Sequence, residues 1–309
     1  MRTMRALGAA LGVLISVAAC GTGGEPTAAP TTAPTATASP SPSASPRVPA
    51  VPGPGDQEIA LQWEGRERVA KVHAPAGYKP GMPLVIGFHY WRGDTEVFRR
   101  MTRLDEKADQ KGFVVVYPVG VISGFNALVC CGVADDVGFT KALITHMIEK
   151  WKVDKRRVFV TGISNGADMS FRMAVEAPGM IAAIAPVSGG FIGEKGADPA
   201  FKARTPVSVI TIIGLADRAS TFNEGLNHWR SKQGCKPAAK GFYDKAKQIA
   251  WNRARCADGS EVVDYQVTGM GHVWPGGTDA GLGSPTQKIN AVDVMWDFFA
   301  AHPLRSANG

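Results

Sequence analysis

Between Arg157 and Asp168 the chain reads Arg-Val-Phe-Val-Thr-Gly-Ile-Ser-Asn-Gly-Ala-Asp, and no other stretch constrains the fold as strongly. A β-branched and aromatic run ends at a glycine, and a helix-compatible run from Met169 to Glu176 follows with almost no spacer. The strand must therefore turn abruptly into a helix at Ser164. The frame Gly162-x-Ser164-x-Gly166 is a nucleophile-elbow pattern, in which a sharp turn pushes a hydroxyl out at the end of a sheet. Glycine at both flanks lets two backbones pass where a Cβ would clash. The frame alone carries little weight in a chain with 36 glycines among 309 residues, so its context has to supply the rest.

The N-terminus reads as an export signal. Met1 to Ala19 carries Arg2 and Arg5 and then an uncharged apolar run from Ala6, which is too short for a membrane span. The run ends Val17-Ala18-Ala19-Cys20-Gly21, which resembles a bacterial lipobox with Cys20 as the lipid-modified residue; the alternative is an ordinary secretory signal. Removing residues 1–19 takes away two arginines, so the formal charge falls from +7 to 7 − 2 = +5. Residues 20–55 hold this cysteine and a Thr, Ala, Pro, Ser and Gly-rich segment without an aromatic residue. Such a composition buries too little apolar surface to offset ordering entropy, so a disordered tether is expected.

Residues 56–303 then alternate strand and helix patterns, which predicts one α/β domain, with a short tail at 304–309. Ile59–Trp63 and Arg68–His73 read as a hairpin, and Pro83–His89 as a doubly covered central strand. A helix is predicted over Glu96–Gln110, a strand over Phe113–Tyr117 and a helix over Val137–Trp151, with Asp135 and Asp136 as N-caps. Further strands are expected at Ile181–Val187, Val207–Ile213 and Val262–Val267, before a closing helix over Asn290–Ala300. The positive charge is scattered rather than gathered into a stripe, which argues against nucleic acid as a partner.

A serine needs an adjacent base to become a nucleophile, and that base needs an orienting carboxylate. His272 lies in a glycine-bracketed loop after the last strand, and Asp217 follows the strand Val207–Ile213 behind Gly214. The order Ser, Asp, His along the chain agrees with the elbow. Asp258, Asp264 and Asp279 compete for the acid's role, but the first and last sit in turn-like segments and Asp264 lies inside a predicted strand. The amide of Asn165 and one from the loop after His89, at Tyr90 or Trp91, are the expected oxyanion donors. The side chains of Tyr90 and Trp91 either line the acyl site or pack, and Trp274 either walls the cleft or packs. Cys235 and Cys256 have the spacing of a loop staple. The adjacent Cys130 and Cys131 either bond to each other or stay free. No histidine stands at ligand spacing from a cysteine, so no metal site is expected, and acyl transfer through a serine needs no cofactor.

Taken together these blocks resemble a family. Pro83-Leu-Val-Ile-Gly-Phe-His89, Cys130-Cys-Gly-Val-Ala-Asp-Asp-Val-Gly-Phe139, Val158-Phe-Val-Thr-Gly-Ile-Ser-Asn-Gly166, Ile184-Ala-Pro-Val-Ser188 and Gly271-His-Val-Trp-Pro-Gly276 are similar to extracellular esterases grouped with polyhydroxybutyrate depolymerases, including feruloyl and acetylxylan esterases. The resemblance implies the α/β-hydrolase fold, a mostly parallel central sheet with helices on both faces. It implies Ser164 as nucleophile, Asp217 as orienter and His272 as base. Two departures stand out. Tyr90 occupies a position where many members have glycine, which implies a narrower or differently lined acyl pocket. Arg218-Ala-Ser-Thr221 lacks the valine-proline common after the acid, so the rim of the site differs.

The expectation is thus an exported serine carboxylesterase, monomeric and without cofactor, held at a membrane through a lipid on Cys20 or released outside the cell. Its substrate would be an ester of a hydroxyalkanoate polymer or of feruloylated or acetylated polysaccharide. No separate binding module follows Pro303, which favours soluble or oligomeric esters. Two rivals remain at this stage: a lipid-anchored binding protein that kept the fold without the chemistry, and a peptidase of the same fold.

Overall fold

The computed structural model describes residues 52–305. The expected signal segment, Cys20, most of the tether and the last four residues lie outside the described residues. A ten-stranded sheet runs through the described part in the order β1-β2-β4-β3-β5-β6-β7-β10-β9-β8. β1 (Gly55–Trp63) and β2 (Arg66–Ala74) form the antiparallel hairpin at one edge, and β2 pairs antiparallel with β4 (Val114–Pro118). From β4 the sheet is parallel through β3 (Leu84–Phe88), β5 (Val158–Ile163), β6 (Ala183–Val187), β7 (Ser208–Gly214) and β10 (Glu261–Val267).

The alternation of side chains along each strand divides the core into two layers. Leu84, Ile86, Val114, Val116, Val158 and Val160 face α3 (Asp136–Glu149), α4 (Asn165–Glu176) and α6 (Ala219–Lys232). Val85, Val115, Tyr117 and Phe159 face α1 (Thr95–Thr102), α2 (Leu104–Lys111) and α7 (Ala291–Ala301). A short α5 (Gly193–Ala197) follows β6.

Three elements differ from the sequence reading. The single helix expected over 96–110 is two, because Arg103 adopts a left-handed conformation at φ 56°. The break lets α1 bury Phe98 and Met101 while α2 separately buries Leu104 and Ala108. The segment expected as a stapled loop is a β-hairpin, β8 (Lys236–Phe242) and β9 (Ile249–Arg255), with β9 antiparallel to β10. A disulfide between Cys235 and Cys256 closes its base. The amphipathic helix α6 ahead of it was not anticipated.

Asp135 and Asp136 divide the work expected of both. Asp135 caps α3 by accepting from the Gly138 amide at 2.8 Å. Asp136 instead takes Arg68 from β2 at 2.6 Å in a buried ion pair, and its second oxygen accepts from the Asn126 amide at 2.7 Å. The Arg68 guanidinium also lies 4.3 Å from the centre of the Phe139 ring. Arg68→Leu would leave the Asp136 carboxylate buried with only the Asn126 amide, at a cost of about 3 kcal/mol. Urea unfolding of this variant against the parent protein measures the loss.

Candidate active site

The site begins with steric crowding at the elbow. Ser164 has φ 57° and ψ −121°, outside the regions an L-residue ordinarily occupies, and α4 starts at the very next residue. A Cβ on Gly162 would come within 2.5 Å of the Gly166 backbone, and one on Gly166 within 2.1 Å of the Phe88 carbonyl oxygen. Both glycines are therefore required by the close approach of β5, α4 and the end of β3. That approach lays the loop after β3 directly over the N-terminus of α4.

Asp217 and His272 leave the sheet at the same edge as Ser164, at the carboxyl ends of parallel strands. Gly214 makes room for this, since a Cβ there would lie 2.2 Å from the Met270 carbonyl oxygen. The loops after β7 and β10 are tied together by Leu215 N–H to Val267 O and Ala216 N–H to Met270 O, at 2.9 and 3.0 Å. Across them His272 Nδ1 stands 2.8 Å from Asp217 Oδ2. A carboxylate can only accept, so Nδ1 carries the proton, and in the neutral form of the ring Nε2 presents a lone pair. Burial alone would raise the Asp217 carboxyl. The hydrogen bonds from His272 and the Arg218 amide, with the charges of both residues, hold it below the usual aspartate range. Among the described residues neither the Ser164 hydroxyl nor His272 Nε2 has a hydrogen-bond partner. The three competing acids are engaged elsewhere: Asp258 with Ser260, Asp264 with Arg230 and Asn252, and Asp279 with the Gly281 amide.

The amides of Asn165, Tyr90 and Trp91 donate to no backbone acceptor among the described residues. Buried His89 organises the second of these segments. Its Nε2 accepts from the Gly120 amide at 3.2 Å, so Nδ1 carries the proton and donates to the Tyr90 carbonyl at 2.9 Å. Burial pushes its pKa down, which keeps the ring neutral. The Gly93 amide also donates to the Tyr90 carbonyl, and in a trans peptide the Trp91 N–H then points the opposite way.

The aromatic candidates separate. The Trp91 indole is 40 % exposed. Tyr90 is tied through its hydroxyl to the Ala280 carbonyl at 2.9 Å. Trp274 is 1 % exposed and packs edge-on against Phe98, so its side chain belongs to the core below the loop rather than to a cleft wall. Cys130 and Cys131 are disulfide-bonded to each other. A distant group, Asp56, His73 and Asp105, brings possible metal ligands within 4.8 Å. Arg99 already pairs with both carboxylates at 2.8 Å, so a guanidinium supplies the positive charge there.

Sequence reading missed Asp168 and Ser188. Asp168 lies one helical turn beyond Ser164, is 4 % exposed, and accepts from the Gly190 amide at 2.8 Å. Ser188 is fully buried at φ 48° and donates to the Val273 carbonyl at 3.2 Å, which ties the loop after β6 to the histidine loop. The four-residue spacing from Ser164 was the only available signal for Asp168. Burial raises its pKa to about 7, against the opposing pull of the Gly190 amide and the charges of Arg218 and His272.

A mixed sheet with this strand order, a serine at the β5–α4 elbow, and an acid–imidazole pair on the loops after β7 and β10 define an α/β-hydrolase. The fold agrees with the acetyl xylan esterase from Aspergillus awamori, at TM-score 0.60 and 18% identity over 80% of this chain and 99% of that one. A family model described as esterase PHB depolymerase matches residues 70–203. A putative esterase, NocK, of Nocardia uniformis subsp. tsuyamanensis is 30% identical over 95% of this chain and 97% of its own length. Feruloyl esterase C of Emericella nidulans is 29% identical over 81% and 91%. The chain belongs to the esterase PHB depolymerase family and is a carboxylic ester hydrolase.

A buried acid with a raised pKa binds more protons in the folded than in the unfolded chain between the usual aspartate range and about pH 7, so stability falls as pH rises through that window. Asp168→Asn keeps an acceptor for the Gly190 amide and removes the charge. It should gain up to about 4 kcal/mol on the parent protein as pH rises from 3.5 to 8. Thermal unfolding across that range checks the sign.

Proposed function

We propose that the chain hydrolyses carboxylic esters through a serine acyl-enzyme, with Ser164 as nucleophile, His272 as base and Asp217 as its orienting carboxylate. The observation that carries the reading is the 2.8 Å contact between His272 and Asp217 at the sheet edge where the elbow exposes Ser164. Ser164 Oγ attacks the ester carbonyl carbon as its proton passes to His272 Nε2. The oxyanion that forms rests on the amide of Asn165 and one from Tyr90 or Trp91. The C–O bond to the alcohol then breaks, and the leaving oxygen takes the proton from His272. Water repeats the sequence to release the acid.

The surface around this edge supports esters with an apolar or aromatic part. Trp91 follows β3, Ile122, Val129 and Val133 follow β4, and Leu215 follows β7. Phe242 and Tyr243 join this edge because Ile249, next to their turn, pairs with Val267 at the end of β10. These are the exposed large hydrophobic side chains among the described residues, and none lies at the opposite end of the sheet. Acyl esters of plant polysaccharide or hydroxyalkanoate oligomers carry suitable groups, and the feruloyl and acetylxylan esterase relatives support the first. The leader-like residues 1–19 and Cys20 support export with a lipid anchor. Cys20→Ala should abolish incorporation of labelled fatty acid into the protein, which metabolic labelling of the parent and the variant checks.

Ser164→Ala should fold as the parent does and lose about 10,000-fold or more in turnover. Ester hydrolysis by this variant, together with fluorophosphonate labelling of the parent, checks the assignment. Rates on methyl ferulate, acetylated xylan and a hydroxybutyrate oligomer rank the substrates; hydrolysis undiminished in Ser164→Ala sinks the serine mechanism.

A further inference from the structure

Asn165 contributes its backbone to the site described above, but its side chain is also committed. The residue is 3 % exposed. Its Oδ1 accepts from the Phe125 amide at 2.9 Å and its Nδ2 donates to the Phe125 carbonyl at 3.0 Å, a two-point grip on the backbone of one residue. Nδ2 also lies 3.4 Å from the Cys130 carbonyl and 3.6 and 3.7 Å from the two sulfurs of the Cys130–Cys131 disulfide. The Phe125 carbonyl accepts in addition from the amides of Ala127 and Cys131, at 2.7 and 2.9 Å. Residues 125–131 thus fold into a small knot around the Asn165 amide group.

The same loop holds the other side of the site. Arg92 N–H donates to Ser123 O at 2.8 Å. Gly124 lies under the Trp91 indole, where a Cβ would come 2.8 Å from the ring and 3.4 Å from Cys131 Cβ. One loop after β4 therefore touches both segments whose amides face the expected oxyanion, Asn165 through its side chain and Trp91 through its ring and the next peptide.

We propose that the Cys130–Cys131 loop braces the oxyanion hole, that the Asn165 side chain is the positioning contact, and that the disulfide locks the brace, so that its reduction slows turnover. This rests on the serine-esterase reading. Cys130 is exposed and Cys131 half-buried, so a small dithiol has access. A thiolate of the dithiol attacks the Cys130 sulfur and displaces the Cys131 thiolate, which takes a proton. The second thiol of the reagent then attacks the mixed disulfide, leaving two protein thiols and a cyclic reagent disulfide. Two electrons pass from reagent to protein, and reoxidation reverses the change. Displacing a preorganised donor affects the transition state more than ground-state binding.

The test measures kcat and KM for a soluble aryl ester together with the Ki of an aryl trifluoromethyl ketone, whose adduct with a serine carries a tetrahedral oxyanion. The proteins are the parent, Asn165→Ala, the double variant Cys130→Ser with Cys131→Ser, and the parent treated with dithiothreitol under native conditions. Thiol alkylation and mass analysis show which disulfide opened, and Cys235→Ser with Cys256→Ser repeats the treatment with only the adjacent pair reducible. The expected result is a fall in kcat of about 10- to 100-fold, a matching rise in Ki and an almost unchanged KM. Reoxidation should restore the treated enzyme. Unchanged kcat and Ki on opening the Cys130–Cys131 bond, or a rise confined to KM, overturns the brace. Because reduction acts on protein already folded, that outcome stands even if a variant fails to fold. Residual hydrolysis in Ser164→Ala would instead count against the serine mechanism on which the brace rests.

Discussion

The structure depends on a backbone collision avoided at two glycines. β3, β5 and α4 meet so closely that the Phe88 carbonyl, Gly162 and Gly166 leave no room for a single carbon atom. The crowding forces Ser164 into a positive φ and starts α4 at once, so the hydroxyl projects beyond the sheet while the Asn165 amide finds no backbone acceptor among the described residues. It also sets the loop after β3 against the helix N-terminus. The proposed nucleophile and oxyanion donors are thus placed by one steric constraint, held in place by the buried strands on either side.

Around this rigid centre the polar groups are held by a few buried contacts. His89 is neutral: its Nε2 accepts from the Gly120 amide, and its Nδ1 donates to the Tyr90 carbonyl. Asp217 is kept ionised by the imidazole and the Arg218 amide. Asp168 goes the other way, because one amide and two more distant charges do not compensate for its burial. The three groups lie on the loops or helix nearest Ser164, and the first two are shifted down and the third up, which follows from what each can reach. Buried Arg68 and Asp136 anchor the loop after β4 at its far end, and Asn165 grips it near the serine.

Much of this was legible in order along the chain. Buried parallel strands read as unbroken apolar runs, so Leu84–Phe88, Val158–Ile163 and Ser208–Gly214 appear within a residue or two of where hydrophobicity places them. Ser164, Asp217 and His272 stand out because each follows such a strand beside a glycine. The break at Arg103 was hidden, since a left-handed non-glycine residue carries no compositional mark. The β8–β9 hairpin was hidden as well, because an exposed edge strand such as Lys236–Phe242 has almost no apolar face to reveal it.

By itself the sequence determined the layered α/β architecture, the elbow and the candidates for acyl transfer, because apolar period, glycine placement and chain order are local properties. Only the tertiary structure decided that Trp274 is core, that Asp168 is a buried acid beside the site, and that the Asn165 side chain holds the Cys130–Cys131 loop. Burial and partnership depend on which distant segments arrive at the same point, and the stretch between Phe125 and Asn165, forty positions apart, carries no trace of the two hydrogen bonds that join them.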